Sequence, residues 1–146
     1  MTRLAAGDRV DRYVIEGWLG SGGMGEVYAA RDPQLGRTVA IKRVRADRPE
    51  RAAALLAEAR AAAAFTHPNA VAIHDVLALG DELALVMERV EGRTLRAAAA
   101  DPAVDAARRV GYLVAIARAL HAAHRAGLIH RDLKPDNVMM VPDPHM

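Results

Sequence analysis

The chain reads His130-Arg131-Asp132-Leu133-Lys134-Pro135-Asp136-Asn137 close to its C-terminal end. Asp132 can accept a proton from a hydroxyl. Lys134 can neutralise a phosphate as a point charge, and Asn137 offers a carbonyl oxygen to a hard cation such as magnesium. A long helical pattern precedes the stretch, and Val138-Met139-Met140-Val141 after it reads as a short strand. A loop with Asp and Asn before a strand can also be a capped turn and nothing more. The upstream sequence decides between the two.

Arg12 to Gly20 alternates loosely and reads as a strand, with Tyr13, Ile15 and Leu19 on one side. Gly20-Ser21-Gly22-Gly23-Met24-Gly25 follows, and Glu26-Val27-Tyr28-Ala29-Ala30 reads as a second strand. A Gly-x-Gly-x-x-Gly run alone is weak, and in its dinucleotide-binding form the third Gly opens a helix. Here Val27 and Tyr28 follow at once and Asp32-Pro33 ends the element, so a strand–loop–strand hairpin is expected. Glycines at its tip let backbone N–H groups approach phosphates closely. An ordinary Gly-rich hairpin turn is the plain alternative.

Arg37 to Val44 reads as a strand whose period of two puts Ala40, Lys42 and Val44 on one face and Val39 and Ile41 on the other. A cation among small apolar neighbours needs a partner. Pro49 suits the first turn of a helix running to about Phe65, with Leu55, Glu58, Ala62 and Phe65 on one face. Glu58 is thus a carboxylate in an apolar stripe, and Lys42 is its candidate cation. Composition supports this. Of 20 basic residues 18 are Arg, so the two lysines, Lys42 and Lys134, mark places where a compact ammonium serves better than a broad guanidinium.

Composition also sets bounds. The 146 residues have room for one domain, and a net charge of +2 without a basic run gives no reason to expect nucleic-acid binding. No cysteine is present, which removes disulfides and thiolate metal sites. No apolar run has the length of a signal peptide or a membrane span, so a cytoplasmic protein is expected. His121 and His124 lie three apart on a helical pattern, but without an acidic or thiol partner packing is the better reading.

Taken in order, the glycine run, Val39-Ala40-Ile41-Lys42, Glu58 and the stretch from His130 to Asn137 resemble the signature set of protein kinases, and Lys134 resembles the serine/threonine branch. The resemblance implies an α+β, protein-kinase-like fold. Its small lobe would be complete, an antiparallel five-stranded sheet plus one helix, with only the start of the helical large lobe. Residues 1–11 would be an N-terminal extension, 12–88 the small lobe, 89–92 the hinge and 93–146 a partial large lobe. It further implies ATP-dependent phosphoryl transfer to protein Ser or Thr, with ATP and magnesium. Gly20, Gly22 and Gly25 would cover the phosphates. Lys42, oriented by Glu58, would hold the α and β groups. Asp132 would be the base or aligning group, Lys134 would meet the γ-phosphate, and Asn137 would hold a metal. Val27 would belong to the same covering loop, Leu19 and Ala40 would also bind the nucleotide, Met87 would lie at the back of the adenine pocket, Met139 would form its floor, and Glu88 and Val90 would offer hinge backbone. Arg89 stands where related sequences often carry an aromatic residue.

The family's Asp-Phe-Gly segment is not in the sequence, which implies little activity for these 146 residues alone. The alternative is a non-catalytic module that binds nucleotide or another protein. The apolar positions of the 104–125 helix, Val110, Leu113, Val114, Ala117 and Leu120, are expected to lie open, and self-association through them is a further expectation.

Overall fold

The computed structural model describes residues 2–22 and 25–142. Residues 143–146, the tail of the expected partial large lobe, lie outside the described residues. The chain divides into two compact units. One holds residues up to Thr66 together with Ala72–Arg89, and the other holds His67–Val71 and everything from Val90.

The first unit is a six-stranded antiparallel sheet in the order β1-β2-β3-β4-β6-β5 with one helix. Its elements are β1 (Arg9–Val10), β2 (Tyr13–Gly22), β3 (Gly25–Asp32), β4 (Arg37–Arg45), α1 (Pro49–Ala63), β5 (Ile73–Leu79) and β6 (Glu82–Glu88). The expected sheet had five strands. The sixth comes from the supposed N-terminal extension, because Asp11 turns the backbone at φ 53° and lets Arg9 and Val10 pair with Val14 and Tyr13.

The alternation read in β4 appears directly. Val39 and Ile41 are fully buried and join Tyr13, Ile15, Tyr28 and Val86 in the core on one face of the sheet. Burying each such side chain is worth roughly 1.5–3 kcal/mol. β2 departs from simple alternation. Register shifts between Ile15 and Gly17, and again between Trp18 and Gly20, change the phase of the strand. Leu19 is therefore 49% exposed, off the side that buries Tyr13 and Ile15.

The core face ends in a polar cluster. Arg43, only 9% exposed, holds Glu82 through Nε and Nη2 at 2.8–3.1 Å and lies 3.8 Å from Glu26. The Tyr28 hydroxyl donates to Glu26 and accepts from the Leu4 amide, while Arg43 Nη1 donates to the Thr2 carbonyl. Without Arg43 two carboxylates would face each other with little water. Arg43→Ala is expected to lower stability by roughly 2–3 kcal/mol, read from chemical denaturation.

α1 corrects one expectation. Its buried position is Ala59, with Ala52, Leu55, Leu56, Ala62 and Ala63 half-buried around it. Glu58 lies at the margin of that stripe, exposed, and not within it. The apolar face is centred one residue later than the sequence pattern placed it, because the run of alanines gives several equally good stripes.

The second unit contains β7 (Arg93–Thr94), α2 (Leu95–Ala100), α3 (Ala106–Arg125), a 3-10 turn at Pro135–Asn137 and β8 (Met139–Met140). The long helix was expected from residue 104. It starts at Ala106 because the Asp105 carboxylate caps it, accepting from the Arg108 amide at 2.8 Å. It ends in a Schellman arrangement. The Gly127 amide donates to the His124 carbonyl and the Leu128 amide to the Ala123 carbonyl, with Gly127 at φ 79°. Gly127→Ala is expected to cost about 1–2 kcal/mol, visible as a lower thermal midpoint. α3 buries none of its residues, and Val110 and Leu113 are 59% and 61% exposed. Of the apolar positions expected to lie open, Val110, Leu113, Val114 and Ala117 are exposed, whereas Leu120 is half-buried. Among the described residues no helix is long and apolar enough to cross a membrane.

Candidate functional site

In the first unit four of the expected nucleotide-binding residues share one sheet face, opposite the core. Register carries this. Val27 stands across from Lys42 and Gly20 across from Val27. Ala40 stands between Ala29 and Met87, and Lys42 between Val27 and Leu85. Four of the expected residues, Val27, Ala40, Lys42 and Met87, thus form one contiguous patch on β3, β4 and β6. Lys42 is half-buried there.

The glycine run lies at the hairpin end of β2 and β3, where Gly22 pairs with Gly25. Gly25 has φ 142°, and a Cβ there would overlap the Arg43 carbonyl oxygen. Only glycine fits that approach. Leu19 is next to this hairpin on an exposed stretch. Glu88 is exposed at the end of β6, and its carboxylate accepts from the Ala72 amide at 3.2 Å. Arg89 reaches Glu16 at 4.0 Å. Glu58, the expected partner of Lys42, is exposed on α1 and has an interaction of its own.

In the second unit Asp132, Lys134 and Asn137 come together. Asn137 Nδ2 donates to the Asp132 carbonyl at 2.8 Å and to its carboxylate at 3.1 Å. Lys134 Nζ lies 3.8 Å from Asp132 Oδ1. The Asn137 amide closes a 3-10 turn on the Lys134 carbonyl at 2.9 Å. The Asp132 amide donates to His130 Nδ1 at 3.2 Å. Arg131 between them has φ 66°, a left-handed conformation that a non-glycine side chain adopts at a cost of about 1–2 kcal/mol. Strain of that kind gathers at functional loops.

β7 and β8 pair, bringing Thr94 across from Met139 and Arg93 across from Met140. The Leu95 amide donates to the Val138 carbonyl at 2.8 Å. Met139 is half-buried in this small sheet, and Val90 is half-buried where the second unit resumes. A residue not singled out from sequence, Arg96, holds Asp136 through Nε at 2.7 Å and Nη2 at 3.2 Å. That hydrogen-bonded guanidinium keeps the Asp136 carboxyl below the usual carboxylate range. Nothing in the sequence signals the contact, since the partners are 40 residues apart.

The cluster can do three things chemically. Asp132 can accept a proton, Lys134 can balance negative charge, and Asn137 Oδ1 can meet a hard cation, because the Asn137 amino group is already used on Asp132. A magnesium ion takes one or two protein oxygens and fills its octahedron with water and phosphate, so a single amide oxygen fits one of its positions. Among the described residues no group of three His, Cys, Asp or Glu side chains forms a metal site of its own.

Residues 13–146 match the protein kinase domain family. A probable serine/threonine-protein kinase of Streptomyces coelicolor is 41% identical over 140 residues, covering 88% of this chain and 20% of that protein. The serine/threonine-protein kinase PknJ of Mycobacterium tuberculosis is 39% identical, covering 94% of this chain and 24% of its own length. The crystal structure of the PknI kinase domain of Mycobacterium tuberculosis superposes with a TM-score of 0.81 at 32% identity, covering 95% of this chain and 58% of that one. The chain spans about a fifth of the length of the curated relatives it matches.

Proposed function

Since the chain belongs to the protein kinase domain family, we propose that the protein carrying it transfers the γ-phosphoryl group of ATP to Ser or Thr hydroxyls of a protein. The observation that carries this reading is the Asp132–Lys134–Asn137 cluster, with Asn137 bonded to Asp132 and Lys134 3.8 Å from the same carboxylate. A module that only binds nucleotide or protein has no use for a proton acceptor and an ammonium held side by side.

Asp132 aligns the acceptor hydroxyl and receives its proton. Lys134 offsets charge on the transferring phosphoryl group, and its place two residues after Asp132 supports Ser/Thr rather than Tyr acceptors by resemblance. From the first unit, Gly20, Gly22 and Gly25 cover the phosphates and Lys42 holds the α and β groups. Leu19, Val27 and Ala40 also meet the nucleotide, Met87 lies at the back of the adenine pocket, and Glu88 offers adenine backbone groups. By the family resemblance, Val90 and Met139 are further residues proposed to meet the nucleotide. Glu58 orients Lys42, which requires its exposed carboxylate to come to the Lys42 face of the sheet. Magnesium, held in part by Asn137, would neutralise the phosphates. Positioning and charge stabilisation carry phosphoryl transfer, since the protein supplies little covalent chemistry.

The test is transfer of labelled phosphate from ATP to a generic Ser/Thr-containing protein by the protein as its host produces it. Transfer that depends on Asp132 is expected. Nucleotide binding without transfer would favour the non-catalytic reading.

A further inference from the structure

We infer that Arg96 is a positioning residue that sequesters the Asp136 carboxylate and thereby reserves Lys134 for Asp132 and the transferring phosphate. The inference rests on the phosphoryl-transfer reading above. Lys134 stands two residues from Asp132 and two from Asp136, so two carboxylates compete for one ammonium. In the structure Lys134 is paired with Asp132, although its charge is still felt at Asp136. Lys134 Nζ lies 3.8 Å from Asp132, while both oxygens of Asp136 are taken by the Arg96 fork at 2.7 and 3.2 Å. A side-on guanidinium satisfies a carboxylate in two directions at once, which an ammonium cannot do. Asp136 therefore prefers Arg96, and Lys134 stays with Asp132.

Arg96 is not there by chance of rotamer. Its backbone is in the first turn of α2, and the Thr94 hydroxyl caps that turn by accepting from the Ala97 amide at 3.2 Å. The residues on either side tie the turn to the loop, with Leu95 bonded to Val138 and Thr94 paired with Met139. The guanidinium thus starts from a point fixed relative to Asp136. Both partners are exposed, with side chains 64% and 49% accessible, and exposed pairs add little to folding stability. Arg96→Ala should leave the fold intact, so its effect can be read at the site.

The test is a double-mutant cycle on the protein as its host produces it. Arg96→Ala frees Asp136 to draw Lys134 away. It is expected to lower kcat roughly tenfold with KM for ATP unchanged, short of the ~10²–10³ lost when a stabilising donor is removed outright. Asp136→Ala alone is expected within about threefold of wild type, and Arg96→Ala with Asp136→Ala should return to that level, because the competitor is gone. A double variant no better than Arg96→Ala would mean that Arg96 merely holds the loop, and would overturn the inference. So would an Arg96→Ala variant as active as wild type. A crystal structure of Arg96→Ala gives a reading that needs no turnover. Lys134 Nζ is expected within ion-pair distance of Asp136, and Lys134 still on Asp132 would refute the competition. If the wild-type protein transfers no phosphate, the kinase reading fails, and that crystal structure still decides which carboxylate Lys134 takes.

Discussion

Asp132→Asn lowers kcat for phosphoryl transfer by ~10²–10⁴, the usual loss when a positioned proton acceptor is removed. The substitution is nearly isosteric. A carboxamide oxygen at residue 132 can still accept from Asn137 Nδ2, which now bonds the carboxylate at 3.1 Å, so the loop keeps its shape. What is lost is the negative charge and the capacity to take up a proton. ATP affinity, measured by calorimetry, is expected to stay within about threefold, because Asp132 meets the acceptor hydroxyl and not the nucleotide. A loss of less than tenfold in kcat would remove Asp132 from the reaction.

Lys42→Ala carries the second large effect, a loss of about 10²–10³ in kcat/KM for ATP. Lys42 stands between Val27 and Leu85, on the face that also holds Ala40 and Met87. Arg43, its neighbour in the strand, points to the opposite face and is engaged with Glu82. Lys42→Arg is the sharper variant. It keeps the charge but replaces a compact ammonium with a wide planar group on a patch lined by Val27, Leu85 and Ala40. It is expected to recover less than a tenth of the lost activity. Full recovery would show that any positive charge suffices there, and that the retention of lysine in an arginine-rich chain has another cause.

The parts of the fold legible in the sequence were those with a local period. The two faces of β4 follow from alternation, because Val39 and Ile41 take the core face and Ala40 and Lys42 must then take the other. The hairpin at Gly22 and Gly25 was legible because Val27 and Tyr28 begin a strand at once. The catalytic stretch was legible because its chemistry is packed into eight consecutive residues. Three things were hidden. The phase of β2 turns on two bulges, which leave no mark on composition, so Leu19 emerged exposed. The stripe of α1 is written mostly in alanine, which gives almost no hydrophobic contrast, so its centre was placed at Glu58 and not at Ala59. The Arg96–Asp136 and Arg43–Glu82 pairs join residues about 40 positions apart. Among 18 arginines nothing in the sequence says which one reaches which carboxylate.

The measurement that bears most directly on the proposed function is phosphoamino-acid analysis. The protein as its host produces it is incubated with magnesium and γ-labelled ATP beside a substrate rich in Ser, Thr and Tyr. The label is then released by acid hydrolysis and separated. Phosphoserine and phosphothreonine are predicted, both lost in Asp132→Asn. Label confined to phosphotyrosine, or equal transfer by the Asp132→Asn variant, would contradict the assignment of Asp132 and Lys134.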